Sequence, residues 1–103
     1  SMTNDEKLVI LKRITGETDD EVLSTYLSLA AGVVLTHAYP YGGVEEVPAQ
    51  YDNVQIEIAA YMLNKRGAEG ETSHSENGVS RSYEDGDIPP TLLRRIVPTA
   101  GVL

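Results

Sequence analysis

His74 stands between Ser73 and Ser75 and is, with His37, one of only two imidazoles in the chain. A Ser–His nucleophile pair needs the base within hydrogen-bond reach of the hydroxyl and an acid that orients the ring. A serine adjacent in sequence on an extended segment points to the opposite side, and nothing nearby supplies the orienting acid, so acyl transfer is disfavoured. His37 falls near the end of a helical pattern, where the C-terminal partial charge favours a protonated imidazole, and its role reads as structural. Asp85-Gly86-Asp87 begins like a calcium loop, but Ile88, Pro89 and Pro90 follow where oxygen ligands would have to continue. With no Cys, a zinc site would have to borrow carboxylates or a neighbouring subunit, and the spacing of His37 and His74 gives it no support. Gly67-Ala68-Glu69-Gly70 is glycine-rich, yet it follows a helix and so meets the negative end of the dipole, with Glu69 and Glu71 adding repulsion toward phosphate. It reads as a helix stop followed by a linker. The expectation is a protein without catalytic residues, without a metal and without a cofactor.

A partner surface is the better reading. Residues 65–83, Lys65-Arg66-Gly67-Ala68-Glu69-Gly70-Glu71-Thr72-Ser73-His74-Ser75-Glu76-Asn77-Gly78-Val79-Ser80-Arg81-Ser82-Tyr83, join two helical patterns and carry almost no apolar residue. Ordering loose backbone costs about 1 to 2 kcal/mol per residue, so a compact domain rarely keeps such a connection unless it binds something. Within it, Asn77-Gly78 is the strongest two-residue hairpin signal, because a type I′ turn needs positive φ at both central positions. Residues 67–87 hold six acids and one Arg. The expected element is an irregular two-stranded arm, projecting from the domain and wrapping a neighbour. Its candidate interface residues are Glu69, Glu71, His74, Glu76, Asn77, Gly78, Arg81 and Tyr83. Arg94 and Arg95 of the last helix join them, the arginines pairing with carboxylates across subunits through bidentate contacts that lysine cannot copy.

The elements that must hold this arm are few. At 103 residues and 41% hydrophobic content the chain makes one domain, residues 1–103, able to bury roughly 60 to 68% of its unfolded surface. With no Phe, no Trp and six Tyr, the core is built from Leu, Ile, Val and Ala, and oligomerisation is a natural supplement to it. The absence of Cys removes any disulfide framework, and synthesis inside the cell is the default expectation. The apolar runs fall short of the roughly 20 residues that span a bilayer, no signal-peptide pattern is present, and Ser1 before Met2 reads as a tag-cleavage remnant. A net charge of −8 argues against tight sequence-independent DNA binding, although an acidic wall suits a protein that lets DNA pass.

Thr3-Asn4-Asp5-Glu6 matches a capping box and predicts a short first helix with Leu8, Leu11 and Ile14 inward, Lys12 and Arg13 in its last turn and Gly16 as its stop. Thr18-Asp19-Asp20-Glu21 repeats the box and predicts a second helix from about Asp19 to about His37. Its stripe is Val22, Leu23, Tyr26, Leu27, Ala30, Val33 and Val34, with Ala30, Ala31 and Gly32 small enough for close approach. Tyr39-Pro40-Tyr41-Gly42-Gly43 breaks it. Pro48 opens a third helix carrying Tyr51, Val54, Ile58, Tyr61, Met62 and Lys65 at helical spacing, which Gly67 should end. Asp87 should cap a last short helix with Pro89 or Pro90 in its first turn, Leu92, Leu93, Ile96 and Val97 facing the core, and Pro98 as its stop. The fold class is therefore all-α: a bundle of about four helices with a long polar loop or irregular β-hairpin arm between the last two.

Over most of its length the chain resembles the small helical head-tail connector proteins of tailed bacteriophages, also described as DNA-packaging or head-completion adaptors. The likeness is sharpest over residues 61–84, beginning Tyr61-Met62-Leu63-Asn64, then over Ile88-Pro89 and Leu92-Leu93-Arg94-Arg95-Ile96-Val97-Pro98. The N-terminal half matches in its pattern of helices. The resemblance implies a virion protein, made in the bacterial host cytoplasm. It implies a homo-oligomeric ring, a dodecamer to match the portal, docked on the portal protein after packaging. The ring would contact the next connector or tail-completion protein, let DNA through without specific binding, and need no membrane. The other reading of the same composition is a small acidic protein-binding module acting as monomer or dimer.

Overall fold

Thr3 and Glu6 close the expected reciprocal cap: the Glu6 amide donates to the Thr3 hydroxyl at 3.1 Å and the Thr3 amide to the Glu6 carboxylate at 2.9 Å. They open α1, Asn4–Thr15, in a computed structural model that describes residues 2–69 and 88–99. Gly16 ends α1 at φ 78°, a left-handed conformation that L side chains resist, and donates its N–H to the Lys12 carbonyl at 2.9 Å.

Helix α2, Asp20–Ala38, is capped by Asp19, whose carboxylate accepts from the amides of Glu21 at 2.9 Å and Val22 at 3.4 Å. The second capping box expected at Thr18 therefore gives way to a single aspartate one residue later, which satisfies two orphan amides by itself. Leu23, Tyr26, Leu27, Ala30 and Val34 are buried as the stripe predicts, Val22 and Val33 partly so. Ala30 is fully buried, whereas Gly32 is exposed and a Cβ there would meet nothing within 4 Å among the described residues. At 19 residues and a mean hydropathy of 1.2, α2 has the length and composition to cross a bilayer, which the reading of apolar runs passed over. Here its inner face packs on α3 and α1 and forms the core with them.

Pro48 precedes a single 3₁₀ turn, Ala49–Tyr51, that runs straight into α3, Asp52–Glu69. This helix passes through Gly67 instead of stopping there. A glycine terminates a helix where the backbone turns left-handed; in the interior it costs about 1 kcal/mol, which a long packed helix absorbs. Val54, Ile58, Ala59, Met62 and Leu63 fill the core from this side.

The last helix, α4, is only Pro90–Leu93 and has Pro89 as its cap with no side-chain hydrogen bond. The expected cap, Asp87, lies outside the described residues, as do the hairpin signal at Asn77-Gly78 and the arm around it. A tight turn continues from Arg94 to Ile96. Because helical spacing is lost after Leu93, Ile96 is buried while Val97, expected in the core, is 66% exposed. Ile14 is likewise exposed, since α1 turns only Lys7, Leu8 and Leu11 toward the bundle. Among the described residues there is no strand.

What holds the C-terminal segment is polar as much as apolar. The Tyr51 hydroxyl accepts the Val97 N–H at 3.0 Å and faces the Val97 carbonyl at 3.3 Å, while the Thr99 N–H reaches the Ala38 carbonyl at 2.7 Å. Tyr51→Phe removes both contacts of one hydroxyl without changing the ring. With Val97 open to water, the expected cost is about 1 kcal/mol, a fall in Tm of about 4 to 8 °C. Thermal denaturation followed by circular dichroism measures it, and an unchanged Tm shows that the hydroxyl clamp carries no stability.

Candidate partner interface

Of the residues that the sequence nominated, Glu71, His74, Glu76, Asn77, Gly78, Arg81 and Tyr83 lie outside the described residues. Glu69 is the last residue of α3. Arg94 follows α4 and is exposed. Arg95 is exposed too, but its guanidinium already donates to Glu57 of α3 at 2.7 Å. The expected arginine pairs are thus met for Arg95 within its own subunit, and Arg94 is the one that faces outward.

A polar cluster that the sequence reading missed sits at the junction of the three long helices. Lys7 of α1 is only 5% exposed and donates to the Gln55 side-chain oxygen at 2.6 Å. Gln55 in turn donates to the Leu27 carbonyl of α2 at 3.0 Å. Lys7 Nζ also lies 3.1 Å from Asp52 Oδ1, forming a buried ion pair. Asp52 Oδ2 accepts the Met2 amide at 2.8 Å. Burial pushes the Asp52 carboxyl up, but the Met2 amide and the Lys7 ammonium together outweigh it, and the group sits below its ordinary 3.8. The signal was present as polar residues standing on core stripes: Lys7 four before Leu11, and Asp52 and Gln55 in register with Ala59 and Met62.

This cluster borders a cleft of about 390 Å³ lined by Met2, Lys7, Ser24, Ser28, Glu46 and Gln55, among others. It holds hydroxyls, carboxylates and one cation, and no imidazole lines it. His37 is elsewhere, its Nδ1 2.9 Å from the Val33 carbonyl; a carbonyl can only accept, so Nδ1 carries the proton. Among the described residues no group of three or more potential ligands is gathered for a metal.

The surface is acidic with its bases largely engaged. Lys7 is internal, Lys12 meets Asp20 at 3.1 Å, Arg95 meets Glu57, and the Arg66 guanidinium lies over the Tyr26 ring at 6.0 Å. The family model for phage gp6-like head-tail connector proteins matches residues 6–98. The chain belongs to that family. No curated protein and no solved structure gives a match. The connector is a structural component of the phage particle, joining head to tail, and the matched range runs from the first turn of α1 through the arm to Pro98.

Proposed function

We propose that this connector assembles as a ring of identical subunits, twelve to match the portal, and seats on the portal vertex once the head is full. The ring extends the DNA channel and offers its far side to the next connector or tail-completion protein. The observation that carries the reading is the family match over residues 6–98, in which the helical frame and the polar arm lie together. A closed ring needs heterologous contacts, one patch meeting a different patch of the neighbour. The arm supplies one side of such a contact, through Glu69, Glu71, His74, Glu76, Asn77, Gly78, Arg81 and Tyr83, with Arg94 and Arg95 beside its far end. Negative-stain imaging of the protein mixed with its portal, together with molar mass in solution, tests this. Rings stacked on portal are expected; a monomer or dimer that leaves the portal bare favours the small acidic binding module instead.

The assembled ring is expected to pass duplex DNA without gripping it. At −8 per subunit the field repels phosphate, and the counterion release that drives nonspecific binding has few free bases to act through. Titration of random-sequence duplex with micromolar protein at physiological salt should show no binding. Binding that weakens steeply as salt rises would show a lumen lined with bases.

A further inference from the structure

Two exposed features of the subunit meet no partner among the described residues. The first is Tyr41, 80% exposed. It sits at the corner of a turn that the Gly42 N–H closes onto the Tyr39 carbonyl at 2.9 Å, with Pro40 fixing the backbone before it. Gly42 and Gly43 follow at φ 81° and 90°, and a Cβ at either would meet nothing within 4 Å, so they serve the shape of the loop and not packing room. The turn therefore holds an aromatic ring in water in a preset position, where a tyrosine loses little entropy on binding and covers a large area. The second is the outer side of α1, where Val9, Ile10 and Ile14 are exposed around the exposed Arg13. At 3.6 residues per turn, positions 9, 10, 13 and 14 fall within an arc of roughly 140°.

Inside one subunit the two features stay open, Tyr41 being 80% exposed and Val9 and Ile14 more than half exposed. The outer α1 patch lies toward the Gly16 end of that helix, whereas the Tyr41 turn follows the far end of α2, which spans about 28 Å. Their charges are complementary: exposed Glu45 and Glu46 follow the Tyr41 turn, and Arg13 stands in the apolar patch. We propose that the Tyr41 turn of one subunit docks on the Val9–Ile10–Ile14 face of the next, with Glu45 and Glu46 set against that subunit's Arg13. The contact is head-to-tail, it rests on the ring reading, and it assigns a second copy of this chain to both surfaces.

The chain has no cysteine, so paired substitutions report the contact cleanly. Tyr41→Cys combined with Ile10→Cys or with Ile14→Cys, assembled on a cysteine-free portal and oxidised, is expected to give a ladder of covalent multimers extending beyond the dimer. Each single variant is expected to give none. Tyr41→Ser should reduce assembly at least tenfold with an unchanged Tm. Rings seen by negative stain without a ladder from either pair overturn the docking and leave the ring reading intact. A dimer band from Tyr41→Cys alone overturns it in favour of a symmetric contact. Absence of rings from the parent chain as well overturns both readings together.

Discussion

Lys7→Met is expected to destabilise the bundle by about 3 to 5 kcal/mol, enough to lower Tm by well over 10 °C in a domain of this size. Methionine nearly conserves the volume of the stem, so the loss is electrostatic. Asp52, 3% exposed, keeps its charge but loses the ammonium 3.1 Å away, and Gln55 loses a donor at 2.6 Å. Removing one partner of a buried pair costs far more than removing both, so Lys7→Met with Asp52→Leu should recover most of the lost stability. The parent should also show an acid limb. Asp52 titrates below 3.8 in the folded protein, so its contribution is fully present above that value and is lost as pH falls through the lower, folded-state one. The double variant should lack that part of the limb. Urea titrations across pH measure both effects, and a Lys7→Met protein melting within about 2 °C of the parent would sink the account.

Replacing residues 71–86 with a short Gly-Ser linker is expected to leave Tm within a few degrees of the parent and to abolish rings on the portal. The fold should survive because both flanks are held independently of the arm. On one side α3 is packed from Val54 to Leu63. On the other, Ile88 is 1% exposed, Ile96 is buried, and the Tyr51–Val97, Arg95–Glu57 and Thr99–Ala38 contacts fasten the segment between. Calorimetry reads the first half of the expectation and negative-stain counts of decorated portals the second. Outright unfolding, or rings as numerous as the parent's, would each show that the arm is not an assembly element.

The helices were legible in the sequence where one residue type has one local job. Thr3 with Glu6, Gly16 and the paired glycines after Tyr41 each act within a single turn, and the structure places them as read. Boundaries went astray where two residues compete for one job. Asp19 displaced Thr18 as a cap because its carboxylate reaches two amides, Gly67 yielded to the packing of α3, and Pro89 sits at the cap of α4. Long-range polar contacts were the least legible. Scanning for apolar stripes assigns Lys7, Asp52 and Gln55 to solvent, because their partners lie 28 to 50 residues away and only the fold brings them together. The same limit hid the Tyr51 hydroxyl's hold on Val97. The family, by contrast, was legible from local wording, in residues 61–84 and the run from Leu92 to Pro98, which the match over residues 6–98 encloses.

The placement of Lys7 has a chemical consequence. The chain has three lysines, and the Lys7 ammonium is 6% exposed where that of Lys12 is 47% exposed. An amine-directed acylating reagent needs an accessible nitrogen, and at Lys7 it finds one only while α1 is detached from α3. Modification at that position therefore proceeds through local opening, at a rate set by the free energy of that opening and not by reagent access. Peptide-level mass spectrometry can follow it beside the fast reaction at Lys12, which serves as the internal reference. The molecule thus carries its own clock for how often the bundle breathes, and any assembly step that clamps α1 onto its neighbours would slow that clock without touching the reference.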